Sequence, residues 1–413
     1  MAPTTRPTLE VADILRARGA AYAANHRLSL EQARVLQLLA ACRTAALGGH
    51  IDACSNCDYR RTSYNSCRDR HCPKCQATKR AAWLEARLER LLSVPYFHVV
   101  FTVPDLFNPL MLHNQRRLYD LLFQTASATL LTLAADPKRL GAQVGITALL
   151  HTWGQNLLFH PHLHCVVTGG GLSPDGQRWI AGKPHYFLPV RVLGKLFRGK
   201  FLAGLKDAYR AGLLRLDGSV APLVDPRAFQ RLLDAGYARN WNVYAKPPFG
   251  GAEQVFRYLG RYSHRVAISN HRLREVTDSY VQFDWKDYAR GNRVRQMCLE
   301  IDEFMRRFLL HVLPKGFVRI RHYGLLASIN VAGKLEHCRR LLGGDCQPRA
   351  ATVAKTWIER VLQWTGQDVM ACPRCQGPLT RRDLPDPPGR GATLSCSERT
   401  AGGRQALPLT NSS

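Results

Sequence analysis

The sequence predicts an α+β protein in which a helical N-terminal segment and a cysteine-knuckle domain precede a larger domain built around a sheet. Three observations lead there. Over Thr8–Ala46 apolar residues recur at three- and four-residue spacings, the pattern of an amphipathic helix face. Two Cys-x-x-Cys pairs, Cys54/Cys57 and Cys72/Cys75, follow with 14 residues between them. Beyond Ser93, strand-like and helix-like patterns surround a stretch, Leu140–Pro174, that contains no Asp, Glu, Lys or Arg in a chain of formal net charge +27.

At 413 residues the chain is too long for one simple domain. The pattern divides it into a helical segment (1–50), a zinc-binding, DNA-contacting domain (51–92), a main domain (93–330), a C-terminal helical segment with one further knuckle (331–380) and a disordered tail (381–413) rich in Pro, Gly, Ser and Thr. Lys and Arg outnumber Asp and Glu by 58 to 31, an excess that calls for a polyanionic partner. An anionic membrane is the weaker choice. The first residues, MAPTTRPTLEV, lack an apolar signal region, and no run of 18 apolar residues follows. A cytoplasmic protein is expected, its 13 cysteines reduced or metal-bound.

Taken in order, Ser29 is placed to cap a helix beginning at Leu30. In each knuckle the two-residue spacing lets both thiolates reach one tetrahedral ion, so Cys54, Cys57, Cys72 and Cys75 are the expected structural Zn2+ ligands, with Cys67 and His71 as further candidates. Tyr59, Arg60, Arg61, Tyr64, Arg68 and Arg70, lying between, suit phosphate contacts and base stacking. Lys79–Leu92 reads as an Arg-rich amphipathic helix whose charges (Arg80, Arg87, Arg90) face solvent or DNA. Phe97–Val103 reads as a strand stopped by Pro104, Leu118–Ala134 as a helix and Val144–Leu150 as a strand.

The charge-free stretch holds His162-Leu163-His164. On a strand the two imidazoles share a face while Leu163 turns into the core. A His-x-His pair alone is a weak sign of a metal site. Here no ammonium competes with a cation, and His151, 11 positions earlier, can reach the same point from the neighbouring strand. Gln155 and His160 are rival ligands.

Val190–Leu214 reads as a basic helix. Within it, Gly194–Phe201 nearly matches a phosphate-binding P-loop, but Phe201 stands where the magnesium-binding hydroxyl is required, so no nucleotide cofactor is expected. Asn242–Lys246 reads as a strand. Tyr258 and Tyr262 lie four apart on a short helix, on one face and about 6 Å apart at Cβ. Arg261, Arg265 and His264 supply positive charge nearby. Val266–Ser269 and Ser279–Trp285 read as strands, Met297–Leu313 as a helix closed by Pro314, and Phe317–Ile320 as a strand. Cys372/Cys375 is a lone knuckle that Cys338, Cys346 or Cys396 could complete.

Histidine-held Mg2+ or Mn2+ polarises a scissile phosphate. A phenol, mostly protonated at neutral pH, then becomes a usable nucleophile. The product, a 5′-phosphotyrosine with a free 3′-hydroxyl, keeps the reactivity of the phosphodiester, so rejoining needs no nucleotide. Two tyrosines on one face allow one to hold a cleaved end while the other attacks a second junction.

At these residues the chain resembles a known family. His162-Leu163-His164 is similar to the His-hydrophobe-His (HUH) motif of single-strand DNA endonucleases. Tyr258-Leu-Gly-Arg-Tyr262 and the residues following, to Arg272, resemble the two-tyrosine motif of rolling-circle insertion-sequence transposases of the IS91 type. Cys54–Cys75, Phe97–Pro104 and Val312–Gly324 resemble further stretches of that family, and the likeness spans roughly residues 10 to 375. It implies an HUH core at 93–330, an antiparallel sheet flanked by helices. It also implies a DNA transposase that nicks and joins single-stranded DNA at element ends and target site, with Tyr258 and Tyr262 catalytic, His162 and His164 holding the metal, and Arg261 and Arg265 on DNA. The spacing of His151 resembles the three-histidine site of conjugative relaxases. A plasmid relaxase or replication initiator would use the same chemistry. A non-catalytic zinc-dependent DNA-binding protein would leave the histidine strand unused, and a hydrolytic metallonuclease would form no covalent adduct.

Overall fold

The computed structural model describes residues 7–183, 187–246, 267–287, 290–291, 293–343 and 356–385. They fall into two compact units, one comprising the chain up to Cys42 and Ser66–Val369, the other Arg43–Asn65 and the chain from Met370. This division departs from the expected 51–92 and 331–380 segments. The first Cys-x-x-Cys hairpin takes its sheet partner from near the C-terminus, while the second knuckle belongs to the larger unit.

The small unit is a three-stranded antiparallel sheet with β1 (Gly49–Cys54) between β2 (Arg60–Tyr64) and β13 (Leu379–Asp383). Residues 381–383, expected in a disordered tail, are therefore strand. Alternation gives its faces different characters. On one, Asp52 is 1% exposed and opposes Arg61 and Arg381, which pair with its carboxylate at 2.9 and 2.8 Å. On the other, Arg60, Thr62, Tyr64, Thr380 and Arg382 are all exposed.

In the large unit, helices α1 (Val11–Asn25) and α2 (Leu30–Ala40) come first. The Ser29 hydroxyl accepts from the Gln32 amide at 3.2 Å, and the Gln32 side chain accepts from the Ser29 amide at 3.0 Å, a reciprocal cap. Their apolar faces, with Val11, Ile14, Leu15, Val35, Leu36 and Leu39, close a core with Phe283, Phe304 and Phe308.

The central sheet follows: β3 (Tyr96–Thr102), β4 (Gly145–Trp153), β5 (Phe159–Thr168), β8 (Val243–Lys246) and β12 (Ile320–Gly324), antiparallel in the order β12-β4-β5-β3-β8. A two-stranded ribbon, β6 (Gly170–Leu172) and β7 (Trp179–Ala181), extends from it in sequence. Period-two alternation sends Phe97, Val99, Phe101, Ile146, Ala148, Leu150, Leu163, Cys165 and Val167 to one face. There they form the main core with α5 (Gln115–Ala135) and α6 (Val190–Arg210). The short α4 (Asn108–His113) and α7 (Pro226–Ala238) border the same core, α7 capped by the Asp225 carboxylate. Helix α5 is long and apolar enough to cross a bilayer, but most of it lies buried in protein, so its apolarity is that of a core helix. The near-miss P-loop, Gly194–Phe201, lies wholly within α6.

A second antiparallel sheet joins β9 (Leu273–Val276), β10 (Tyr280–Asp287) and β11 (Arg293–Glu300), followed by α8 (Ile301–Leu309). Three expectations change here. Met297–Glu300 is strand rather than helix, because Met297 fits the helical spacing of Ile301 and Phe304, whereas Met297 and Leu299 together share one face only on a strand, where they pair with Phe283 and Val281. Ala267–Ser269 forms no strand; Ala267 and Ile268 are buried as side chains of the second core. Phe317 precedes β12 instead of lying in it and packs edge-on against Tyr119. The unit closes with α9 (Glu336–Leu341) and α10 (Trp357–Thr365).

His311 ties α8's end to the β4–β5 turn. It is 1% exposed, its Nδ1 lies 3.2 Å from the Thr152 hydroxyl and its Nε2 donates to the Leu157 carbonyl at 3.0 Å. Burial pushes its pKa down to about 4. A folded-state pKa below the ordinary 6.5 contributes stability above pH 6.5 that is lost as pH falls toward 4. Denaturant melts across that window should show the loss, and a His311→Gln variant should show a shallower slope. Parallel slopes for the two proteins would contradict this.

Candidate metal centres

The histidines lie on the face of the central sheet opposite the main core. β4 and β5 pair with His151 directly opposite His162, and His164 stands opposite Leu149. One side-chain nitrogen from each of His151, His162 and His164 lies within 4.8 Å of the other two. His160 shares this face but is exposed and outside the cluster, and Gln155 sits in the β4–β5 turn.

Proton positions follow from the neighbours. His162 Nδ1 lies 2.7 Å from the His160 carbonyl, which can only accept, so this nitrogen carries the proton and Nε2 keeps its lone pair. His164 Nδ1 lies 2.8 Å from His98 Nε2. Burial drives both His98 and His162 down to about 4, and His164 well below the ordinary value, so all three rings are neutral at pH 7. If His164 donates to His98, the Nε2 lone pairs of His162 and His164 face each other at 3.1 Å. That arrangement is repulsive unless a cation lies between them. A 3.1 Å separation matches roughly the 3 Å edge of an octahedron with ligand distances near about 2.1 Å. The residues present therefore fit a divalent metal ion.

His98 was not singled out in the sequence. One histidine in the apolar run of β3 reads as a core residue, and only the pairing of β3 with β5 brings it beside His164. Further along the same face, His322 Nε2 accepts from Arg87 at 2.7 Å, and its Nδ1 lies 3.0 Å from the Thr147 hydroxyl. Arg87 belongs to α3 (Ala77–Leu88), whose Trp83, Leu84 and Leu88 pack on Tyr96 and Val166. This arginine is thus half-buried against the sheet, not on a solvated face. Tyr258, Tyr262, Arg261 and Arg265 lie outside the described residues.

The four expected zinc ligands are not brought to one point. Cys72 and Cys75 join Cys67 and Cys42, the latter just beyond α2. In this group Cys42 and Cys75 are 3.3 Å apart at Sγ, Cys67 and Cys75 3.6 Å, and Cys42 and Cys72 3.6 Å. A tetrahedral zinc with Zn–S of about 2.3 Å separates its sulfurs by roughly 3.8 Å, so this quartet fits structural Zn2+. Cys54 and Cys57 instead face Cys372 and Cys375 in the small unit. His71 takes no part. Its Nδ1 donates to Asp69 at 2.8 Å and its Nε2 accepts from the Leu313 amide at 3.2 Å. Cys42 carries no sequence signal, being a single cysteine at a helix end.

Comparison with known proteins fits this distribution of sites. Residues 14–103 match the family model "Transposase zinc-binding domain", and residues 145–333, which include the three histidines, match "Putative transposase". The chain is 52% identical over 380 residues to "Putative transposase y4qJ" of Sinorhizobium fredii, covering 91% of this chain and 96% of that one. It is 31% identical over 306 residues to "Transposase for insertion sequence element IS801" of Pseudomonas savastanoi pv. phaseolicola, covering 72% of this chain and 71% of that one. No solved structure matches. With a zinc-binding segment, a basic composition suited to DNA and these relatives along most of its length, the chain belongs to the IS91 family of insertion-sequence transposases, enzymes that act on DNA.

Proposed function

We propose that this transposase moves its element by metal-dependent nicking and strand transfer of single-stranded DNA through 5′-phosphotyrosine intermediates. The observation that carries the reading is the meeting of the His151, His162 and His164 imidazoles on one sheet face, with one ring nitrogen of each within 4.8 Å of the others. A divalent ion held there by His151, His162 and His164 would act as a Lewis acid toward the scissile phosphate. The remaining work falls to the chain. The His160 carbonyl and His98 hold the tautomers of His162 and His164, keeping both Nε2 atoms available. Tyr258 or Tyr262 attacks phosphorus as its phenolic proton passes to water, the P–O3′ bond breaks, and the leaving oxygen takes a proton from water to become a 3′-hydroxyl. Arg261 and Arg265 balance charge on the strand. The second tyrosine takes the next junction, at the other element end or the target. The HUH core assigned to 93–330 is supported by an antiparallel sheet with the histidine pair on a central strand and helices on its opposite face.

Chelator-treated protein, with its zinc content measured in the same sample, should bind single-stranded end sequences without cutting them, and Mg2+ or Mn2+ should restore cutting. Cleavage indifferent to chelation would sink the proposal. His98→Leu should weaken Mn2+ binding by about 10- to 100-fold. His98→Gln, whose amide oxygen can accept from His164, should recover part of that. Equal titration curves for both variants and the parent would remove His98 from the site.

A further inference from the structure

We propose that Cys54, Cys57, Cys372 and Cys375 hold a second zinc ion, which clasps the C-terminal segment onto the β1–β2 hairpin. Neither matched family model reaches residues 370–385. Four independent features point to it. The Sγ atoms are gathered as a quartet, Cys54 and Cys375 3.4 Å apart, Cys57 and Cys375 3.6 Å, and Cys57 and Cys372 3.7 Å. These lie near the edges of a zinc–thiolate tetrahedron.

The two knuckles also share one backbone design. In each, the first cysteine's amide donates to the carbonyl five residues on, Cys54 to Tyr59 at 2.9 Å and Cys372 to Gly377 at 2.8 Å. In each, its sulfur accepts from the amide two residues on, Asn56 at 3.3 Å and Arg374 at 3.4 Å. Amide donors of this kind stabilise a thiolate, the form that binds metal. The knuckles are then joined by sheet pairing, with Cys54 opposite Leu379 and the Ser55 amide donating to the Pro378 carbonyl at 3.2 Å.

Finally, the described residues of the unit form no apolar core, and the pairing of Asp52 with Arg61 and Arg381 is the main side-chain link among its strands. Among the described residues no apolar cluster includes a residue of this unit, and apart from glycines its buried side chains are Asp52, Cys372 and Leu379. Three short strands without an apolar core need a staple, and a zinc ion held by four thiolates supplies one. Because two ligands come from each end of the chain, separated by more than 300 residues, the site cannot form until the C-terminal segment is made.

The test is metal stoichiometry in the full chain, with cysteine reactivity as a second readout. The parent should carry two zinc ions, and both C372S/C375S and C72S/C75S should carry one. In the parent, Cys372 and Cys375 should resist alkylation until a chelator removes zinc, a readout that does not depend on whether a variant folds. One zinc in the parent, two retained in C372S/C375S, or free alkylation of Cys372 and Cys375 with both zincs in place would each overturn the proposal.

Discussion

His162→Ala is expected to slow strand cleavage by about a thousandfold or more while changing affinity for single-stranded DNA by no more than about twofold. On the proposed mechanism the ring does one thing, which is to present Nε2 at the point where three imidazoles meet, directly across from His151. Removing it leaves two ligands, and the Lewis-acid contribution of several kcal/mol is forfeited, each step of about 1.36 kcal/mol being tenfold in rate. The fold should survive, because His162 is only partly buried and the main core lies on the other side of the sheet. Single-turnover cleavage and filter binding measured on the same preparation separate the two effects. A parallel loss of binding and cleavage would mean that His162 contacts DNA rather than metal.

Cys42→Ser is expected to cost at least about 3 kcal/mol of stability and to release the ion held with Cys67, Cys72 and Cys75, since binding energy at a structural zinc is folding energy. Cys42 and Cys72 are both buried within the core that α1 and α2 share with Phe283, Phe304 and Phe308. Losing the ion therefore loosens that core as well as a loop. Thermal melting with zinc analysis reads both effects. An unchanged melting temperature with full zinc content would show that Cys42 is not a ligand.

These two sites differ in how far the sequence exposes them. His162 and His164 were legible because period-two geometry forces alternate residues onto one face, and a charge-free strand leaves few other uses for paired imidazoles. The sequence allows His151 to reach the same point from a neighbouring strand, but its place directly opposite His162 is set by the register of β4 on β5. His98 was hidden because its relation to His164 is set by the register of β3 on β5, which joins residues 66 apart. The knuckles were visible, but their grouping was not. Local spacing says that Cys54 and Cys57 share an ion; it says nothing of Cys375, whose place depends on β13 pairing with β1. The same limit explains Met297–Glu300, where an ambiguous period was settled by a partner strand. Signals carried within one turn or one strand were readable, and those created by long-range pairing were not.

The central claim is a covalent one, so the most direct measurement is adduct formation. Protein with Mg2+ or Mn2+ would be incubated with single-stranded oligonucleotides from the element's own ends and separated on a denaturing gel. The account predicts protein carrying the 3′-side fragment through a 5′-phosphate, retained in part by Tyr258→Phe or Tyr262→Phe alone and abolished in the double variant. Cleavage that leaves no protein-bound DNA, or an adduct that persists in the double variant, would contradict it.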